Sequence, residues 1–172
     1  KEKGHATAVS ILADGKPKEE ILAFRPDIVA FSAKTGEHKY YLAANNQIKG
    51  LDSSIFTVIG GPHATFFPEI ISQYDINALC VGEGDDAWPE LLTALENKTS
   101  IDNIPNIVTK ANFSLGVPPV MRERRRALDD LPFLDRELFY SSTRLGRFPM
   151  RSFMVSRGCP YNCTFCASTR FW

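Results

Sequence analysis

The sequence has no excess of charge of either sign. Its 172 residues include 20 lysines and arginines and 20 aspartates and glutamates, so the formal net charge is zero. Domains that attract nucleic acid or acidic lipid by bulk electrostatics usually carry a clear positive excess. The balance therefore gives no reason to expect a polyanionic partner, and we predict that the protein does not bind nucleic acid.

The sequence also has no apolar run long enough to cross a bilayer, which takes roughly 20 residues. Its first residues, Lys1 to His5, include no hydrophobic segment of the kind found in signal peptides. We therefore expect no membrane span and a cytoplasmic protein. A reducing compartment also suits free thiolates.

Both ends of the sequence resemble internal positions of a longer protein. Residues 1–4 have the pattern of the last turn of a helix followed by a glycine stop, so a preceding strand and most of a helix are expected upstream. At the other end, six residues follow Cys166. We expect the chain to be a fragment.

Alternating strand and helix patterns fill residues 1–100. Three short apolar runs are typical of strands buried on both faces of a parallel sheet, at residues 28–32, 55–59 and 78–81. Helical patterns occupy residues 16–24, 37–51, 68–74 and 87–97, and a weaker alternating pattern at 6–12 predicts an edge strand. Such alternation with short connections favours an α/β fold, a doubly wound parallel sheet of the Rossmann-like or flavodoxin-like kind.

Each of the three buried strands runs into a loop that contains glycine. Ligands of open parallel sheets bind beyond the carboxyl ends of the strands, and glycine lets the backbone approach a large flat or phosphate-bearing ligand. A general preference of such turns for glycine explains any single loop equally well, but three loops at one edge favour a binding site. The candidate residues are Ser32, Thr35, Gly60, Gly61, His63, Thr65, Gly82, Glu83 and Gly84.

The pattern changes after residue 100, and we predict domains at 1–100 and 148–172 joined by a linker at 101–147. Residues 104–109 and 117–121 could pair as a hairpin across a polar segment. Four arginines lie close together, at Arg122, Arg124, Arg125 and Arg126. Acidic residues lie among and after them without interleaved aromatics, which favours a solvated linker face. Residues 150–156 have the pattern of a strand.

Cysteine is scarce, yet three of the four cysteines fall within eight residues. Cys159, Cys163 and Cys166 have the spacing C-x3-C-x2-C, which can hold three corners of a four-iron cluster and leave one iron open to an outside molecule. Cys80, within a buried strand pattern, is expected to be a small core residue.

Three other uses of these cysteines stay open. Zinc takes four ligands, and Cys80 or a histidine would have to supply the last across a long loop. A disulfide would leave one thiol of the group over. A cluster that only transfers electrons normally has a fourth cysteine nearby, and none follows before Trp172.

The cysteine loop resembles that of the radical S-adenosylmethionine (SAM) family, which has this spacing with an aromatic residue, here Phe165, just before the third cysteine. The resemblance implies that Cys159, Cys163 and Cys166 ligate a 4Fe-4S cluster whose free iron binds SAM, and that the reduced cluster cleaves SAM. It also implies that Phe165 lies against the SAM adenine and that Tyr161 helps to close the loop. Residues 150–156 would then be the first strand of a truncated (β/α) barrel.

The three glycine-containing loops, with the Phe-Phe-Pro-Glu segment at 66–69, resemble the cobalamin-binding domain that precedes the cluster domain in one class of radical SAM enzymes. The resemblance implies that cobalamin (B12) lies along this edge. His63 is the nearest histidine, but the Asp-x-His-x-x-Gly motif that supplies the cobalt ligand in cobalamin domains of the methionine-synthase type does not occur in these residues. We therefore expect that His63 is not the lower axial ligand.

Together the two resemblances imply a cobalamin-dependent radical SAM enzyme that transfers a methyl group, or that rearranges or closes a ring, as in the anaerobic formation of the fifth ring of bacteriochlorophyll. They also imply a small-molecule substrate and an electron donor such as flavodoxin or ferredoxin. The fragment alone is expected to be inactive. The alternative is a non-catalytic flavodoxin-like module that carries a corrinoid or a flavin and has a structural metal site.

Overall fold

The computed structural model describes residues 4–14 and 17–171. The predicted helix end at residues 1–4 and the first residue of the helix predicted at 16–24 lie largely outside them. The described residues divide into two compact units. The larger unit comprises Pro26–Arg126 and the residues from Gly158 onward, and the smaller unit comprises the residues up to Arg25 together with Ala127–Arg157.

The larger unit is built on a four-stranded sheet. Its strands are β1 (Ile28–Ser32), β2 (Phe56–Gly60), β3 (Ala78–Cys80) and β4 (Ile107–Thr109), and they are hydrogen bonded in that order. β1, β2 and β3 are parallel, whereas β4 runs antiparallel to β3. Ser32 is level with Gly60, so β1 and β2 end at the same edge of the sheet. The predicted α/β fold with a mostly parallel sheet is confirmed.

Short helices are present in both units. They are α1 (Pro17–Phe24), α2 (His38–Leu51), α3 (Gly61–Phe66), α4 (Ile70–Gln73), α5 (Ala87–Glu96), α6 (Lys110–Ser114), α7 (Arg136–Ser142) and α8 (Ser168–Phe171). The predicted helices at 16–24, 37–51 and 87–97 are confirmed as α1, α2 and α5. The helix predicted at 68–74 is confirmed as the shorter α4, whereas α3, directly after β2, was not predicted.

The core lies on both faces of the sheet. Neighbouring strand residues pack into different clusters, because successive side chains of a strand point to opposite faces. Ile59 and Leu79 join one cluster with Ile71, whereas Val58 and Ala78 join another. The continuous apolar runs of β2 and β3 are therefore explained by helices or loops that cover both faces. Cys80 lies in the second cluster, which confirms it as a core residue.

Two predicted strands are wrong. Residues 6–11 have no regular structure, and Leu12–Asp14 forms a 3-10 turn. Residues 150–156 are also irregular, and Phe153, Met154 and Val155 are exposed by 73, 76 and 94%. A strand needs a neighbour to satisfy its backbone N–H and C=O groups, and within residues 4–14 and 17–171 no segment pairs with either stretch.

The predicted hairpin is wrong as well. Its polar segment forms helix α6, because Thr109 and Asn112 make a capping box in which each side chain accepts a hydrogen bond from the other residue's backbone N–H. The first half of the predicted hairpin pairs with β3 instead, as strand β4. The sheet thus extends beyond residue 100, into the segment that we assigned to a linker.

The smaller unit is held by helix ends and by contacts between cations and aromatic rings. Asp135 caps α7 by accepting a hydrogen bond from Leu138 N at 3.1 Å. The Arg136 guanidinium lies 4.2 Å from the centre of the Phe153 ring, and Arg151 lies 4.1 Å from that of Tyr140. Such contacts are individually modest. None of the helices in the described ranges combines the length and the apolar character that a membrane span requires.

Candidate functional site

The loops that follow β1 and β3 are hydrogen bonded to the start of helix α3, which follows β2 directly, and the three segments form one continuous edge. Gly60 C=O accepts a hydrogen bond from Ala33 N at 2.9 Å, and Ala33 C=O accepts one from His63 N at 2.9 Å. The Thr65 hydroxyl donates to Gly61 C=O and accepts from Gly82 N, at 3.0 and 2.9 Å. The sequence predicted that these loops share an edge; the structure adds that they bond directly to each other.

Glycine at position 61 is required by this close approach. Gly61 has φ of +86°, which side chains other than glycine rarely adopt. A Cβ there would lie 2.9 Å from Ser32 Oγ and 3.0 Å from both Ala33 N and Ala33 O. The missing side chain therefore makes room for the neighbouring loop of the protein, whereas we had expected the glycines to make room for a ligand.

Gly60, Gly82 and Gly84 surround the end of β3 in a similar way. A Cβ on Gly60 or Gly84 would lie 3.4 Å from the Cys80 carbonyl oxygen and 3.3 Å from Cys80 Sγ, respectively. Gly82 has φ of +69°, and a Cβ there would lie 2.7 Å from Met121 Cε. Glu83, between these glycines, accepts a hydrogen bond from Arg125 N through Oε2 at 3.4 Å. The β3 loop, residues 82–86, is therefore closely packed against Cys80, Met121 and Arg125.

His63 is buried within the edge, with only 5% of its surface exposed. Its Nδ1 is hydrogen bonded to Thr35 Oγ1 at 3.2 Å, and its ring stacks on His38 with centroids 3.8 Å apart. Phe67 lies on it at 5.0 Å. Burial, and then the neighbouring His38, lower the pKa of His63, while the Glu69 carboxylate partly offsets them. His63 is therefore a neutral, packed side chain near neutral pH.

A cleft of about 240 Å³ opens beside the β3 loop. On one side lies that loop, including Gly82 and Asp86; on the other lies the arginine strap, which we define as residues 120–126. We expected the arginines to form a solvated face, and for two of them this is wrong. Arg125 pairs with Asp86 at 2.5 Å, and Arg122 pairs with Glu90 on α5.

The three clustered cysteines lie in an exposed loop of free thiols. Cys163 C=O accepts a hydrogen bond from Cys166 N at 3.1 Å, which closes a turn, and Cys166 Sγ accepts one from Ser168 N at 3.4 Å. Tyr161 and Phe165 are 72 and 91% exposed. Across the part of the chain that the structure describes, no three His, Cys, Asp or Glu side chains are grouped closely enough to hold a metal ion. The cluster assignment stays a prediction.

The chemistry of this loop nevertheless fits an iron–sulfur cluster. Cys159, Cys163 and Cys166 are accessible thiols, whereas Cys80 is buried in the core. Backbone N–H groups that donate to sulfur, as Ser168 N does to Cys166, stabilise thiolate charge and tune such clusters. Iron–sulfur coordination therefore remains compatible with the donor set, with the turn at Cys163–Cys166 as its fixed part.

The structure defines an α/β domain whose candidate residues lie at the carboxyl ends of its strands, and comparison with known families is more specific. Residues 9–92 match the family described as "B12 binding domain". They include β1, β2, β3 and all nine candidate residues of the edge. This part of the chain therefore belongs to the B12-binding domain family.

Curated relatives match well beyond that domain. The chain is 32% identical over 165 residues to the hopanoid C-3 methylase of Methylococcus capsulatus, with 89% of this chain and 30% of the relative covered. It is 28% identical over 171 residues to the anaerobic magnesium-protoporphyrin IX monomethyl ester cyclase of Rubrivivax gelatinosus, with 94% and 30% covered.

The name of a third relative includes both cobalamin and radical SAM. It is the cobalamin-dependent radical SAM methyltransferase TokK of Streptomyces tokunonensis, 26% identical over 149 residues, with 82% of this chain and 22% of the relative covered. The chain thus spans less than a third of the length of each of these three relatives. They support a family of methyltransferases and cyclases, and the predicted resemblance to cobalamin-dependent radical SAM proteins is confirmed.

Proposed function

We propose that the chain contributes the cobalamin-binding domain and the cluster loop of a cobalamin-dependent radical SAM enzyme, which transfers a methyl group to a small-molecule substrate or closes a ring on one. The observation that carries this proposal is the order of the chain: a B12-binding domain at residues 9–92 is followed in the same polypeptide by Cys159, Cys163 and Cys166 at radical SAM spacing. The names of the relatives support both reaction types.

Cobalamin would lie along the edge formed by the three loops. The proposed contact residues are Ser32, Thr35, Gly60, Gly61, His63, Thr65, Gly82, Glu83 and Gly84. Backbone groups and small side chains dominate this set, which suits a broad corrin ring with amide side chains, since such a ligand needs close approach and hydrogen bonds more than charge. The hydrogen bonds among Ala33, Gly60, His63, Thr65 and Gly82 support a preformed edge that requires little rearrangement on binding.

The cysteine loop would hold the second cofactor. Cys159, Cys163 and Cys166 would ligate a 4Fe-4S cluster, and Phe165 with Tyr161 would contact SAM. The exposure of both aromatic rings supports this role, because each is available to stack on an adenine. When bound, cobalamin supplies a carrier for a methyl group, and the cluster supplies the electron that cleaves SAM. Flavodoxin or ferredoxin is the proposed electron donor, in the cytoplasm.

Ultraviolet–visible spectra of the protein, purified and reconstituted without oxygen, test the proposal. We expect corrinoid bands together with the broad absorption of an iron–sulfur cluster. After SAM and a reductant are added, we expect 5′-deoxyadenosine from a polypeptide that also includes the rest of the barrel, and not from residues 1–172 alone. Flavin bands without cluster absorption would contradict the proposal and would favour the alternative of a non-catalytic flavodoxin-like module. Corrinoid bands with tightly bound zinc, and no iron, would contradict the radical SAM part alone.

A further inference from the structure

Asn106, which precedes β4, has an unusual backbone for a residue so deeply buried. Its φ is +68°, in the left-handed region, and only 3% of its surface is exposed. Asparagine tolerates this region better than most residues, but the conformation still costs free energy unless the surroundings hold it. The hydrogen bonds of Asn106 stabilise this conformation and connect it to two neighbouring segments.

Asn106 bonds to the end of β3 through its backbone and its side chain. Val81 N donates to Asn106 C=O at 2.8 Å, and Asn106 Nδ2 donates to Val81 C=O at 2.7 Å. The backbone N–H and C=O of Val81 are thus both hydrogen bonded to Asn106. Val81 lies just before the β3 loop, residues 82–86. Because Asn106 follows the loop at 82–86 by about twenty residues, this contact depends on the fold of the domain.

The same residue anchors the arginine strap. Asn106 N donates to Val120 C=O at 2.8 Å, and Asn106 Oδ1 accepts from Arg122 N at 3.0 Å. The amide Nδ2 therefore donates both to Val81 and, at 3.9 Å, to Met121 Sδ on the strap, while Oδ1 accepts from the strap. No other residue type supplies a donor and an acceptor in this short, planar arrangement while also tolerating a positive φ.

The strap in turn closes over the loop at 82–86. Met121 lies directly against Gly82, where a Cβ would be only 2.7 Å from its Cε. Arg125 N donates to Glu83 Oε2, and the Arg125 guanidinium pairs with Asp86 at 2.5 Å. The Nε atoms of Arg122 and Arg125 are shielded from solvent, so both arginines pack along their length. The strap therefore contacts three positions of the loop, Gly82 and Asp86 through side chains and Glu83 through a backbone N–H.

We propose that Asn106 is a positioning residue for cobalamin binding: it fixes the strap to the end of β3, and the strap holds the loop at 82–86 in its binding conformation. The inference rests on the proposed function, because it places cobalamin at this edge. The physical reason is that a loop with two glycines has many conformations when it is free, and a ligand that must select one of them binds more weakly. The strap lies outside residues 9–92, the part that matches the B12-binding family.

The test uses Asn106→Gly, which keeps the positive φ accessible and removes the three side-chain hydrogen bonds, to Val81, Met121 and Arg122. Its matched control is Lys98→Gly, at another position of positive φ, 53°, on the exposed surface after α5. Both variants gain the same backbone freedom in the unfolded chain. Amide hydrogen exchange is measured for residues 81–86 and for β1 and β2 in the protein without cobalamin, and the affinity for hydroxocobalamin is measured separately.

We expect Asn106→Gly to lose roughly ten-fold in exchange protection at 81–86 and roughly ten-fold in hydroxocobalamin affinity, the loss of about one net hydrogen bond. Protection in β1 and β2 should match that of Lys98→Gly. Arg125→Gln, which removes the ion pair with Asp86 on the exposed side of the strap, should give a smaller loss at the same amides and provides a readout if Asn106→Gly does not fold.

Three results would overturn the proposal. One is protection and affinity in Asn106→Gly within about two-fold of Lys98→Gly. Another is an equal loss of protection in β1, β2 and residues 81–86, which would show that Asn106 only stabilises the domain. The third is lost protection at 81–86 with unchanged hydroxocobalamin affinity. If the unaltered protein binds no hydroxocobalamin, the proposed function fails, and the exchange data still decide whether Asn106 orders the loop.

Discussion

The proposed cobalamin edge and the cysteine loop differ in how much of each is ordered by contacts within the polypeptide. At the edge, the segments that follow three strands are bonded to each other, His63 is 5% exposed, and Gly61 has no space for a Cβ. In the cysteine loop the three thiols are exposed, and the aromatic side chains next to them are exposed as well. The first region is ordered by packing, whereas the second has few internal contacts to order it.

This difference has an energetic consequence. A preformed site loses little conformational entropy when its ligand binds, so cobalamin would gain affinity from the fold of residues 9–92. A loop without a packed core must be ordered by its ligand, and metal binding often supplies that free energy. We therefore expect substitutions in the edge to affect both folding and cobalamin binding, and substitutions of the cysteines to affect only the cluster.

The largest expected effect is on the cluster. Replacing Cys159, Cys163 or Cys166 with alanine should remove most of the protein-bound iron, because a cubane that loses one of three ligands is poorly held. Circular dichroism and hydroxocobalamin binding should stay unchanged. Cys80→Ala is the matched control, since Cys80 is a core residue, and it should keep its iron. If Cys80→Ala loses iron as completely as Cys163→Ala, the ligand assignment is wrong.

The next largest expected effect is on the stability of the domain, and it tests whether the edge is preformed. Gly61→Ala should destabilise the domain by roughly 2 kcal/mol or more, from a strained φ together with contact against Ser32 and Ala33. Gly36→Ala is the control, because Gly36 also has a positive φ, 96°, but no atom lies within 4 Å of its Cβ position. Urea unfolding should show a clearly smaller loss for Gly36→Ala. Equal losses would mean that the close approach of the loops contributes nothing.

The sequence was sufficient to predict β1, β2, β3 and the edge, because strands covered on both faces need continuous apolar runs and their ends must then meet. It was insufficient for β4, which is three residues long and pairs with a strand about thirty residues earlier. Helix α6 was missed since its capping box uses Asn112 where the usual signal is Glu or Gln.

The wrong prediction of a solvated arginine face is explained by ion pairs between residues that are far apart in the sequence. The run that includes Arg122 and Arg125 resembled a solvated face, because the acidic partners lie 32 and 39 residues away at Glu90 and Asp86. The composition of a short stretch of sequence cannot predict such pairs. The strand pattern at 150–156 shows the opposite limitation: alternation or apolarity indicates a strand only where a neighbour pairs with it, and the described residues offer none.

A smaller effect separates the buried thiol from the exposed ones. Burial, and then the charge of Asp85, raise the pKa of Cys80 to about 11, so at pH 8 it is almost entirely the unreactive thiol. In the protein without its cluster, Ellman's reagent should therefore react quickly with three thiols and with the fourth only after unfolding. The Cys80→Ala variant should show the same fast phase and no slow one. A fast phase of four thiols would contradict the burial of Cys80.

The smallest expected effect is on cobalt itself. Although His63 is the histidine of the edge, its Nδ1 is bonded to Thr35 and its ring is packed between His38 and Phe67. To act as the lower axial ligand, His63 would have to leave this packing. The free energy lost with these contacts would offset the free energy gained from a bond to cobalt. We therefore predict that the electron paramagnetic resonance spectrum of the cob(II)alamin form is the same in His63→Ala as in the unaltered protein.

His38→Ala is the matched control for that experiment, because it removes the other imidazole of the stacked pair and leaves His63 in place. Both variants loosen the same packing, so a spectral change that they share reports on packing. A change specific to His63→Ala reports on ligation. Nitrogen splitting that is present in the unaltered protein, persists in His38→Ala and vanishes in His63→Ala with cobalamin still bound would show that His63 does leave its packing to bind cobalt, and that the edge is less fixed than its hydrogen bonds indicate.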